Sequence, residues 1–80
     1  MAAYGTKTRK SPEDVVGRAK DYFGEDGLGL EIRSDNPCCV TFEGGGGHVS
    51  VAASRQDDKT EVELETREWD YHAKKFLSEL

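Results

Sequence analysis

The chain has 80 residues, a net charge of −5 and a charged fraction of 34%. Nucleic-acid binding takes its affinity from Lys and Arg placed against phosphates, so this acidic balance argues against a nucleic-acid partner. The chain has no apolar run long enough to span a bilayer and no signal-peptide core, which argues against a membrane protein. Its length predicts one small domain, residues 1–80, with little volume for an internal ligand.

The first two predicted elements are a strand and a helix. Residues 3–9 are rich in Thr and Tyr, which favours a strand, although one glycine weakens the pattern. Ser11 is a candidate N-cap, and Pro12 suits the first helical position. The helix is predicted to end at Gly24, and close packing on the sheet would explain Gly17 in its interior. Its apolar stripe consists of Val15, Val16, Ala19, Tyr22 and Phe23.

Four short runs between Leu28 and Thr66 alternate apolar and polar residues. A period of two is typical of strands with one buried and one exposed face. The residues predicted to face inward are Leu28, Leu30, Ile32, Cys38, Val40, Phe42, Val49, Val51, Ala53, Val62 and Leu64. Turn-forming residues at 35–37, 44–47 and 56–59 separate the runs, and such short connections predict antiparallel neighbours.

A second helix is predicted at the end of the chain. Thr66 is its candidate N-cap, and Glu68 and Asp70 would lie in its first turn, where negative charge is favourable. The apolar stripe of this helix consists of Trp69, Ala73, Phe76, Leu77 and Leu80. Such a stripe on a terminal helix predicts packing against the sheet.

These elements predict a two-layer α+β fold in the order β-α-β-β-β-β-α. An antiparallel four-strand meander, with residues 3–9 as a candidate fifth strand, would pack one face against both helices. The order resembles a miniature of the helix-grip fold of START-like and polyketide-cyclase-like proteins, and residues 11–16 (Ser-Pro-Glu-Asp-Val-Val) are similar to the start of a START-like first helix. It is also similar to the repeat of TATA-binding-protein-like folds. The resemblance covers most of the chain and implies a fold, not a function.

No set of residues demands a particular chemistry. The glycines at 44–47 precede a strand, whereas a phosphate site needs a following helix N-terminus, so we interpret them as a hairpin loop. Cys38 and Cys39 are adjacent, which is the wrong spacing for zinc, and we expect no metal and no cofactor. A thiol enzyme would need a reactive Cys39 with His48 as base, but no third orienting group is evident. We therefore expect no enzymatic activity, and the cysteine usage fits a reducing cytoplasm.

Three glutamates make the outer face of the sheet a candidate binding surface. Glu61, Glu63 and Glu65 alternate on one strand, so all three point outward, where they would dock a basic partner or simply form a solvated face. If the first strand pairs with this one, Lys7 and Arg9 would lie opposite the glutamates and neutralise part of the charge.

The first functional hypothesis is protein–protein contact, with another protein or with a second copy of this chain. Contact would use the outer face or an exposed sheet edge, for which the strand at 28–34 is a candidate. The second hypothesis is a small apolar ligand between the sheet and the last helix, touching Phe42, Trp69 and Phe76. The third is the thiol enzyme. None of them involves nucleic acid, a membrane or a metal.

Overall fold

The computed structural model describes residues 2–80, which form two helices and one five-stranded sheet. The elements are β1 (Ala2–Thr8), α1 (Pro12–Phe23), β2 (Glu31–Asp35), β3 (Cys39–Gly44), β4 (Gly47–Gln56), β5 (Lys59–Arg67) and α2 (Asp70–Ser78). The predicted α+β class and element order are confirmed. Neither helix among these residues has the length and apolarity required to cross a membrane.

The sheet is antiparallel throughout, and its strand order is β1-β5-β4-β3-β2. The four strands after α1 form the predicted meander. The candidate first strand is present and pairs with β5 without a register break, from Ala2 opposite Thr66 to Thr8 opposite Thr60. Because the sheet is open, β1 and β2 are its two edges.

Both helices lie on the same face of the sheet, since their buried side chains join those of the strands in one cluster. Phe23 of α1 meets Phe42 of β3 and Phe76 of α2, with ring centroids 5.6 Å and 5.3 Å apart. Aromatic pairs at such separations contribute about 0.5–1.5 kcal/mol each beyond the burial of their area. The other predicted inward residues of β3, β4 and β5 that are buried are Val40, Val49, Val51, Ala53, Val62 and Leu64.

The ends of α1 are those that the sequence predicts. The Ser11 hydroxyl accepts a hydrogen bond from the backbone N–H of Asp14 at 3.1 Å, Pro12 occupies the first turn, and Gly24 is the C-cap. The expectation for Gly17 is wrong. This residue is exposed, and a Cβ added to it would meet no atom within 4 Å apart from the adjacent backbone of its own helix.

Three inward positions near the edge of the sheet differ from the prediction. Ile32 is 41% exposed, because α1 covers β3 and β4 rather than the edge strand β2, whose pairing also shifts between Ile32 and Ser34. Cys38 lies in a bend before β3 and is exposed. Leu28 precedes β2 and is partly buried, whereas Leu30 enters the core with 3% exposure.

Thr66 is not the N-cap of α2. It lies in β5, fully buried on the inner face, and its hydroxyl donates to the His48 carbonyl at 2.8 Å. The alternation of β5 continues through Thr66, so the strand runs on to Arg67 and a bend with Glu68 at φ +78° follows. Trp69 occupies the N-cap position and makes no side-chain capping bond.

Replacing Gly17 by Ala should raise the free energy of unfolding by about 1 kcal/mol, because Ala has the higher helix propensity and its methyl group enters open space. Urea and thermal unfolding followed by circular dichroism measure this change. Gly24→Ala is the matched control, since a Cβ there would collide with the carbonyl oxygen of Lys20 and should lower stability. A loss of stability in both variants would contradict the open environment of Gly17.

Candidate interaction surfaces

The face of the sheet opposite the helices carries small and polar side chains at its centre. The Thr41 and Ser50 hydroxyls are 3.2 Å apart across β3 and β4, and Ala52 and Ser54 follow along β4. No large apolar side chain of β3, β4 or β5 points to this face. The outer face therefore lacks the apolar centre that a broad, stable interface requires.

The glutamates predicted to point outward do so along β5. Glu63 and Glu65 are exposed, and Glu61 is half-buried. Their cross-strand partners on β1 are Lys7 for Glu61, Gly5 for Glu63 and Ala3 for Glu65. Only Lys7 thus lies opposite a glutamate, because β1 ends at Thr8 and Arg9 lies beyond it. A binding role for these three glutamates stays a prediction.

A shallow polar depression lies where the β3–β4 hairpin meets the outer face. Arg33 forms ion pairs there with Glu31 at 3.4 Å and Glu43 at 3.3 Å. His48 sits between Glu43 on β3 and Arg67 on β5. The paired side chains are 53–70% exposed, so each ion pair contributes little stability. The two acidic and two basic side chains balance, which leaves no net charge to attract a charged ligand.

Trp69, a predicted ligand contact, packs on the glycine hairpin. Its indole N–H donates to the Gly44 carbonyl at 2.9 Å, and a Cβ added to Gly45 would lie 2.9 Å from its ring. Gly45 and Gly46 have φ of +58° and +79°. Positive φ at both central residues is what a tight two-residue hairpin turn needs. The predicted hairpin is therefore present, and Trp69 holds its turn against the start of α2.

Gly45→Ala should destabilise the protein more than Gly46→Ala. Both variants place an alanine at positive φ, which costs about 1–2 kcal/mol, but only the methyl group at 45 would meet the Trp69 ring. Trp69 is the one tryptophan of the chain, so its fluorescence reports the contact directly. We expect a red-shifted emission for Gly45→Ala alone. Equal losses and unchanged spectra in both variants would contradict the contact.

Phe42 and Phe76, the other predicted ligand contacts, are buried in the core with 0% and 3% exposure. Together with Phe23 they fill the space between the sheet and the helices. Tyr22 covers this cluster at the α1–α2 boundary, where burial, and then the charge of Glu79, raise its pKa. Phe42 lies beneath α1, in contact with Phe23, whereas α2 covers β1 and β5. The ligand hypothesis stays a prediction.

Tyr4 links β1 to the first turn of α2. Its hydroxyl donates to Asp70 Oδ2 at 2.7 Å, and Lys74 Nζ lies 5.4 Å from the centroid of its ring. The hydrogen bond to Asp70 is the main cause that raises the pKa of Tyr4, and burial and the charge of Asp70 add to it. At the other end of β1, the Thr8 hydroxyl donates to the Leu80 carbonyl at 3.2 Å. These contacts hold α2 over the inner face of β1.

The two edges of the sheet differ in how well they could pair with another strand. β1 has seven residues, no register break and one charged side chain, Lys7. β2 has five residues, an irregular register and three charged side chains, Glu31, Arg33 and Asp35. Bulges and charges hinder edge pairing, so β1 is the better template. The predicted edge at 28–34 is confirmed, since β2 is an outer strand, and the pairing of β1 with β5 makes β1 the second edge.

Cys39 is half-buried on the outer face, and Cys38 is exposed. Hydrogen bonding between the two thiols raises the pKa of Cys39, and burial adds to this effect. A raised pKa lowers the fraction of nucleophilic thiolate at neutral pH. Cys39 faces Ala52 across the hairpin, and His48 faces Glu43, so the suggested Cys39–His48 pair is about 13 Å apart along the strands.

Alkylation of Cys39 at about pH 8 should be slower than that of free cysteine, because less of this thiol is ionised. Cys38→Ala should speed the reaction, since it removes the partner that is the main cause of the raised pKa. Iodoacetamide labelling across a pH series, with the site read by tandem mass spectrometry, measures both rates. Cys39→Ala is the control, because it leaves Cys38 as the one thiol and gives the rate of Cys38 by itself. Faster reaction of Cys39 than of free cysteine would revive the thiol-enzyme hypothesis.

Comparison with known proteins shows similarity at the level of the fold. No protein-family model and no curated protein sequence matches the chain. A solved structure that is similar is the solution structure of the Aha1 dimer from Colwellia psychrerythraea, with 15% identity and a TM-score of 0.63. The match covers 99% of this chain and 92% of that chain. Identity at this level shows a shared α+β fold and nothing finer.

Proposed function

We propose that this protein is a small interaction domain, not an enzyme, and that it self-associates through the free edge of β1. The observation that carries this proposal is the contrast between the edges. β1 is long, regular and nearly uncharged, whereas β2 is short, bulged and charged. No other surface of residues 2–80 offers a partner so many unpaired backbone groups in one line.

The chemistry of the contact is the addition of one strand to another. No strand of residues 2–80 pairs with the outer side of β1, so its N–H and C=O groups there can bond to a second β1. Backbone hydrogen bonds give such contacts their affinity, and the alternating side chains give them specificity. A seven-residue edge is a small interface, and we therefore expect weak, micromolar association.

Two observations favour the edge over the outer face. Face-to-face association would bring the glutamates of β5 near their copies, and like charges held close together repel. The balanced charges of the polar depression also offer no attraction for a second copy. The similar Colwellia protein is a dimer, and its fold likeness supports self-association as the first form of contact to test.

Sedimentation of the purified protein at micromolar to millimolar concentrations should give a monomer–dimer equilibrium. Thr6→Lys should shift it to monomer, because Thr6 lies on the inner face of β1, where a charged side chain opposes edge pairing. Ile32→Lys is the matched control on the other edge and should leave the equilibrium unchanged. Circular dichroism checks that both variants fold.

Two results would overturn the proposal. A strict monomer over the whole concentration range would exclude self-association. An equal loss of dimer in the Thr6 and Ile32 variants would exclude β1 as the edge concerned.

A further inference from the structure

We infer that two copies pair through antiparallel β1 strands in one register, in which Gly5 faces Gly5 of the second copy. This inference rests on the proposed self-association through β1, and it names the partner residues. It follows from the symmetry of an edge contact, from the length of β1 and from the charges on both sides of it.

Symmetry limits the possible registers. Two copies joined along one antiparallel edge are related by a two-fold axis perpendicular to the sheet. This axis keeps both outer faces on the same side, so a residue of the outer face can oppose only another of that face. One residue of β1 must then lie beside the axis and face its own copy. Near the middle of the strand the candidates are Tyr4, Gly5 and Thr6.

Overlap of the strands selects Gly5 among these three. Gly5 is the middle of the seven residues of β1, so an axis there pairs every residue, from Ala2 opposite Thr8 onward. An axis at Tyr4 or Thr6 leaves one end of each β1 without a β1 partner. It would also place two side chains of one kind against each other, whereas glycine brings none.

Charges on the outer face agree with this register. Ala3 and Lys7 lie on either side of Gly5 on the outer face, so Lys7 of one copy faces Ala3 of the other. Ala3 in turn pairs with Glu65, which places Glu65 of the second copy about 10 Å from Lys7, two strand spacings away. The small Ala3 side chain leaves the long lysine free to reach across it. Lys7 thus lies between Glu61 of its own chain and Glu65 of the second copy.

On the inner face the proposed register would place the two copies of α2 side by side and bring opposite charges together. α2 contacts both β1 and β5, so two copies of α2 would run antiparallel about 10 Å apart, near the usual packing distance of helices. Asp70 and Lys74 both contact Tyr4, which places them on the β1 side of α2. Asp70 of one copy therefore approaches Lys74 of the other.

Disulfide trapping tests the register in a background with Cys38→Ser and Cys39→Ser, where only introduced thiols can react. Directly opposed residues of antiparallel strands have Cα atoms about 4.5–5.5 Å apart, which suits a disulfide. Gly5→Cys should form a cross-linked dimer under mild oxidation. A Cβ at 5 would lie 3.2 Å from the Val62 carbonyl oxygen, so a second test leaves this position unchanged. A mixture of Ala3→Cys and Lys7→Cys should cross-link, and either variant alone should not.

The outcomes separate the register from the proposed function. Cross-linking of Gly5→Cys and of the Ala3→Cys/Lys7→Cys mixture supports the inference. The register is different if the protein sediments as a dimer but Ala3→Cys cross-links with itself. It is also different if Gly5→Cys cross-links with Lys7→Cys and not with itself. A protein that sediments as a monomer refutes self-association itself, whatever the trapping yields.

Discussion

The contact among Phe23, Phe42 and Phe76 is the interaction on which the rest of the structure depends, because it is where the sheet and both helices meet. Its three rings come from α1, β3 and α2, and they join the buried side chains of both helices and the sheet in one cluster. Because both helices occupy one face, no element of residues 2–80 covers the other face of the sheet. The outer face therefore carries the polar half of the alternating strands.

The sequence predicts the middle of the fold well and its margins poorly, for a physical reason. A period of two shows which residues share a face, and this was sufficient for Val40, Val51 and Leu64 beneath the helices. It does not show how far the covering helices extend, so Ile32 has the right pattern and the wrong environment. The prediction of Thr66 as the N-cap of α2 is wrong for a related reason, since a hydroxyl near the end of a strand suits a helix cap equally well.

The candidate site was less predictable than the fold, because it depends on contacts between distant residues. An aromatic residue on a terminal helix has the same local pattern in a core, in a ligand pocket or against a turn. Trp69 packs against a turn, where its indole N–H donates to the carbonyl of Gly44, 25 positions earlier. The free edge of β1 arises in the same way, since only the pairing of β1 with β5, across most of the chain, makes β1 the outermost strand.

The irregular register of β2 has a consequence for the size of any assembly. A sheet with two flat, uncharged edges could add a further copy at each edge repeatedly and would grow into a fibre. Here β2, the other edge, has an irregular register and three charged side chains, so two molecules joined through β1 as proposed would present only edges that oppose further pairing. Strand addition of the proposed kind would therefore stop at the dimer, and the irregular register of β2 would guard against polymerisation.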